Sequence, residues 1–217
     1  MEYVMHQYIN GALLRRLFCG ALVFLCLLFF VNPELFQPTP PLVTVNSGMY
    51  GNLDQEDELH PFSLAHSYRQ MQIKTLSEAI TTKFTTVPKY QAEQIVKAAL
   101  KESTKRGIAP TLILAIIAVE SSFNPVIISG NDHGLMQVNT YWQKEVTEEV
   151  GGPKALLDPL KNIYAGTKIF ANYLLRTNGN TRQALRKFNG EGKANDYPST
   201  VLNQQKFFDS ALLAQST

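Results

Sequence analysis

Apolar residues along the second half of this chain recur at helical rather than strand spacing. From Phe62 onward Leu64, Tyr68, Met71, Leu76, Ile80 and Phe84 form one stripe that stops before Pro88, predicting an amphipathic helix ended by proline. Tyr90 to Arg106 places Ile95, Val96, Ala99 and Leu100 on one face and ends at Gly107. Thr111 to Glu120 is apolar almost throughout, the pattern of a helix buried on every side. Pro159 to Arg176 turns Ile163, Gly166, Ile169, Phe170 and Leu174 inward. Thr181 to Phe188 and Thr200 to Leu213 predict two further helices. No stretch alternates well enough to predict a strand, and no internal repeat appears. The expected fold class is mainly α.

The first sixty residues follow other rules. Leu17 to Val31 is a run of fifteen residues without a charge, preceded by Arg15 and Arg16. With Leu13 and Leu14 added and the arginines snorkelling to the headgroups, the span approaches membrane length. No small-x-small cleavage pattern follows at a useful distance, Val45-x-Ser47 being too far from the apolar run. The expectation is an uncleaved transmembrane signal anchor over 13–31, with 1–12 cytoplasmic and everything after Val31 on the far side. Pro33, Pro38, Pro40, Pro41, Gly48 and Gly51, with the acidic run Asp54 to Glu58, make 32–61 a linker. Residues 62–88 form a helical extension, and 89–213 the main domain.

Composition narrows the picture. An apolar fraction of 45% and a charged fraction of 18% suit a packed core. A net charge of +2 gives no reason to expect nucleic acid. Seven basic residues and one acid between Lys161 and Lys193 read as a solvated helix face that could meet an anionic polymer. Cys19 and Cys26 both lie in the apolar run, so the rest of the chain has no disulfide framework. Histidines at positions 6, 60, 66 and 133 have no metal-ligand spacing, and no cofactor is expected.

The most informative residue is Glu120, a carboxyl at the end of a buried apolar helix. Desolvation and the negative end of the helix dipole both disfavour its charged form. A glutamic acid kept protonated near neutral pH can deliver a proton to a leaving oxygen. An outward-facing, solvated Glu120 is the plainer alternative from helix position alone.

Its surroundings favour the first reading. Glu120 opens Glu-Ser-Ser-Phe-Asn-Pro, and fourteen residues later comes Gly134-Leu-Met-Gln-Val-Asn139. There Gly134 permits close backbone approach, Met136 offers an adaptable apolar contact, and Gln137 and Asn139 can hydrogen-bond amide-bearing sugars. Together these blocks resemble the lytic transglycosylases with the lysozyme-like fold, in which E-S-x-F-x-P carries the catalytic glutamate and G-L-M-Q follows on the cleft wall. Asn162-Ile-Tyr-Ala-Gly166-Thr and Phe188-Asn189-Gly190, with Tyr197 beyond, continue the resemblance in order over roughly residues 90 to 205. It implies a lysozyme-like fold, Glu120 as catalytic acid/base, and Ser121, Gly134, Met136, Gln137, Asn139, Tyr141, Asn162, Phe188, Asn189 and Tyr197 at the substrate. The family usually has tyrosine where this chain has Phe188. Tyr197 or Tyr141 would then have to supply any phenol that assists Glu120.

The implied reaction cleaves the β-1,4 bond between N-acetylmuramic acid and N-acetylglucosamine in peptidoglycan. Glu120 would protonate the bridging oxygen and then deprotonate the muramyl 6-hydroxyl, giving a 1,6-anhydro product. The block from Asp132-His133-Gly134 through to Trp142 also resembles c-type lysozymes, so a hydrolytic alternative uses Asp132 as the second carboxylate. A non-catalytic peptidoglycan-binding module is the alternative of another class, prompted by Phe188. The expected partners are glycan strands, the inner membrane through 13–31, and a secretion, conjugation or pilus machine. The domain itself would lie in the periplasm.

Overall fold

The computed structural model describes residues 61–190 and 196–214, and the expected anchor and linker lie outside them. Helix α1 (Pro61–Lys83) starts on a proline, where the missing N–H costs nothing. Its stripe is buried only from Ile73, through Leu76 and Ile80, while Leu64 and Tyr68 are exposed. Pro88 ends the connection and caps α2 (Lys89–Arg106), which buries Ala92, Ile95, Val96, Ala99 and Leu100 and stops at Gly107.

Helix α3 (Pro110–Ser121) is the axis of the domain. Every residue from Thr111 to Ala118 is buried, and each of its four isoleucine and leucine side chains after Leu112 contributes about 1.5–3 kcal/mol of transfer free energy. It packs most extensively against α7 (Tyr197–Leu213). Helix α5 (Pro159–Arg176) lies on α2, and α6 (Thr181–Phe188) bridges α5 to α7. Asp158 caps α5 by accepting from the Lys161 N–H at 3.0 Å, and Asn180 caps α6 in the same way.

Between α3 and α5 the chain forms structure that its periodicity does not announce. Three two-residue strands, β1 (Ile128–Ser129), β2 (Asp132–His133) and β3 (Val138–Asn139), make an antiparallel sheet in the order 1-2-3. Ser129 pairs with Asp132, and Asp132 with Asn139. A two-residue strand has no alternation to detect. A short α4 (Lys144–Glu149) and a 3-10 turn (Pro153–Leu157) follow. Helix α7 begins at Tyr197, three residues before the expected Thr200, because Pro198 is well suited to a first turn.

The described residues are mainly helical, and their core has two parts. The larger cluster joins α1, α2, α3, α6 and α7 with Ile163 and Phe170 of α5, and the smaller gathers Val138, Val146, Val150, Leu156, Ala165 and Ile169. Tyr173 and Phe188 pack against both, so they mark the seam. Among the described residues no helix is long and apolar enough to cross a membrane.

Candidate active site

Glu120 occupies the last turn of α3 and is partly exposed. The helix stops abruptly after it, although no glycine is present. Ser122 and Phe123 both take left-handed backbone angles, with φ of 50° and 64°. Such conformations cost of order 1–3 kcal/mol each and persist only where the surroundings enforce them. Here Phe123 is fully buried, and its carbonyl accepts from Gln91 Nε2 at 2.9 Å.

Tyr197, the first residue of α7, meets Glu120 from 77 positions away, its phenol donating to Glu120 Oε1. Burial pushes the Tyr197 phenol well above the usual tyrosine range, and the nearby Glu120 charge and their hydrogen bond push it the same way. The phenol is therefore a neutral donor at any working pH. Its donation fixes the relative placement of the last turn of α3 and the first turn of α7.

The Gly134–Asn139 block is turned mainly toward the protein. Gly134 has φ of 73°, and a Cβ there would stand 2.2 Å from the Leu156 carbonyl oxygen and 2.3 Å from Asn162 Nδ2. Glycine is thus demanded twice, by backbone angle and by space. Asn162 is completely buried at the start of α5. Its Oδ1 accepts from the Met136 N–H at 2.7 Å, and its Nδ2 donates to the His133 and Leu156 carbonyls at 2.7 and 2.8 Å. One amide side chain therefore fastens β2, the turn after it and the 3-10 segment. Met136 is fully buried against Gly166, where a Cβ would come within 2.5 Å of its sulfur. Gln137, at φ of 45°, donates from Nε2 to the Gly134 carbonyl at 2.8 Å.

Asn139 ties the sheet to the following loop. Its Nδ2 donates to Asp132 Oδ1 at 2.7 Å, while its Oδ1 accepts from the N–H groups of Tyr141 and Trp142 at 3.1 and 2.9 Å. Those two rings pack edge to face at 4.8 Å, and the residues are 67% and 76% exposed, large apolar surfaces left uncovered by the described residues. Gln143 then donates to the Tyr173 hydroxyl at 3.3 Å.

The remaining expected residues separate by burial. Ser121 is buried, and its hydroxyl donates to the Ile117 carbonyl within α3 at 3.1 Å. Phe188 packs edge-on against Phe170 at 5.8 Å, and Asn189 caps the end of α6. The structure thus joins Glu120 to Tyr197, and separately joins Asp132 to Asn139 and Asn162 to Met136. Trp142 closes the lysozyme-like block but was not among the expected substrate residues, although its place next to Tyr141 was a usable signal.

A buried helix that delivers one carboxyl to a phenol, together with a small sheet closed by an asparagine clamp, makes up a mainly helical domain. Residues 97–207 match the family described as the transglycosylase SLT domain, and the chain belongs to that family. Among curated proteins it is similar to membrane-bound lytic murein transglycosylase C of Serratia proteamaculans, at 41% identity over 95 residues, covering 39% of this chain and 26% of that protein. The same-named protein of Yersinia enterocolitica is 37% identical over 84 residues, covering 36% of this chain and 24% of that one. That of Photorhabdus laumondii is 37% identical over 102 residues, with coverages of 41% and 29%. The matched segment spans about a quarter of the length of these relatives.

Proposed function

We propose that this chain is a peptidoglycan lytic transglycosylase cleaving between N-acetylmuramic acid and N-acetylglucosamine, with Glu120 as the only proton-transferring residue. The observation that carries the reading is the bond from Tyr197 to a glutamate at the mouth of a buried helix, within a segment matching the family. Glu120 in its acid form protonates the bridging oxygen. The resulting carboxylate, stabilised by the Tyr197 phenol, takes the proton of the muramyl 6-hydroxyl as that oxygen closes on C1. The substrate's acetamido group assists departure, which makes a second carboxylate unnecessary.

Asp132 has a different role in this reading. Its carboxylate is held by Asn139, the residue that also organises the Tyr141–Trp142 loop, so Asp132 stabilises the sheet. The exposed Tyr141 and Trp142 rings offer a stacking surface for a glycan strand. Asn162, Met136 and Gly134 shape the surface from behind, and Phe188 supplies apolar packing at the seam. Residues 13–31 anchor the protein in the inner membrane with this domain in the periplasm, in keeping with relatives named as membrane-bound. Service to a secretion, conjugation or pilus machine remains part of the proposal.

Mass spectrometry of muropeptides released by the purified protein tests the reaction. Anhydro-capped products are expected. Reducing-end products would instead establish the hydrolytic alternative with Asp132.

A further inference from the structure

Helix α1 and the turn behind it precede the segment shared with the family, which begins at residue 97. Helix α1 packs mainly on α2 and next on α7, which carries Tyr197, and the turn behind it reaches the segment that leaves the end of α3. Phe84, just past the end of α1, packs edge to face on Phe123 at 4.9 Å. Phe123 meets Phe208 of α7 at 6.3 Å, and Phe208 meets Phe207 at 5.2 Å. Lys83 closes the circuit, with Nζ 4.3 Å from the Phe207 ring centre and 5.9 Å from that of Phe84. The same Nζ donates to Gln204 Oε1 on α7 at 2.7 Å.

This ring of contacts sits where the chain needs outside support. After Glu120 the helical hydrogen bonds give way to two left-handed residues, so the path of the chain depends on where Phe123 is seated. Phe84 forms one side of that seat and Phe208 another. The first is in the extension and the second in the helix that begins with Tyr197. A hydrogen bond weakens steeply when its donor and acceptor shift or tilt, so the Glu120–Tyr197 bond requires α3 and α7 to keep their relative placement.

We propose that Phe84, supported by Lys83, is a positioning residue for the Glu120–Tyr197 pair, making the extension 61–88 an integral part of the catalytic unit. The inference rests on the catalytic reading of Glu120 and Tyr197 given above. Phe84 acts through Phe123 on one partner and through the Phe207–Phe208 edge of α7 on the other. It touches no substrate.

The test is a double-mutant cycle in the full chain, read on soluble glycan strands. Phe84→Ala should lower kcat by about five-fold, with KM changed by less than about two-fold, a coupling within the range found for residues sharing a network. In a Tyr197→Phe background the same substitution should lower kcat by less than about two-fold, because the bond it serves is already gone. The drop in Tm caused by Phe84→Ala should be equal in both backgrounds, which separates positioning from general destabilisation. Lys83→Met and Phe84→Leu, which keep most of the packing volume, should show the same non-additivity at smaller amplitude if Phe84→Ala fails to fold. Equal kcat losses in both backgrounds, with Glu120→Gln inactive, would overturn the brace alone. Activity retained by Glu120→Gln would overturn the catalytic reading and the brace together.

Discussion

Glu120 with Tyr197 and the Gly134–Asn139 block belong to one run of sequence motifs, yet they are built on opposite plans. At Glu120 a carboxyl is left partly exposed at the end of an apolar helix and is met by the Tyr197 phenol. In the Gly134 block the amides of Gln137 and Asn139 bond to the protein, and Asn162 of α5 reaches in to do the same, so that together they satisfy backbone and carboxylate groups. Residues whose amides look suited to ligand binding in a motif are here internal fasteners of the fold. Motif membership therefore does not distinguish a group that reacts from a group that holds.

The contrast can be broken most directly at Glu120. Glu120→Gln should leave Tm within about 2 °C of wild type while lowering peptidoglycan turnover by about 10³-fold or more, since it removes the proposed proton donor. Turnover within a few-fold of wild type would show that the reacting group lies elsewhere. Gly134→Ala should do the reverse. A methyl group facing the Leu156 carbonyl at 2.2 Å, on a backbone at φ of 73°, has no room to relax cheaply. A loss of about 3 kcal/mol, or roughly 10 °C in Tm for a domain of this size, is expected in thermal unfolding. An unchanged Tm would mean that the turn is not the rigid support inferred here.

The smallest effect is expected at Asp132. Asparagine keeps an oxygen able to accept from Asn139, so Asp132→Asn should cost less than about ten-fold in turnover. A loss of about 10² or more, the size of a missing charge at an oxocarbenium-like transition state, would move Asp132 from the holding class to the reacting one.

Much of the helical frame was legible because 3.6-residue periodicity is a property of local sequence. The α3 stretch from Thr111 to Ala118 reads as buried, and it is. The Leu64–Tyr68 part of the α1 stripe reads equally apolar but is exposed, since periodicity alone does not say where along a helix its packing partners begin. Tyr197 was among the phenols considered for Glu120, but only tertiary structure joins residues 77 positions apart. The clamp at Asn162 had a signal that could have been read differently. It lies on the inward face with Ile163, Gly166 and Ile169, and a polar side chain buried there must find hydrogen-bond partners. Two-residue strands and the left-handed exit from α3 leave no periodic trace, since each rests on contacts distant in sequence.

The Asn162 clamp has a mechanical consequence. Its three hydrogen bonds join residues 133, 136 and 156 to the first turn of α5, so none of these segments can open without leaving the others' polar groups unpaired in the interior. The sheet and the start of α5 therefore yield together or not at all, and the surface they form is a stiff jaw rather than a compliant flap.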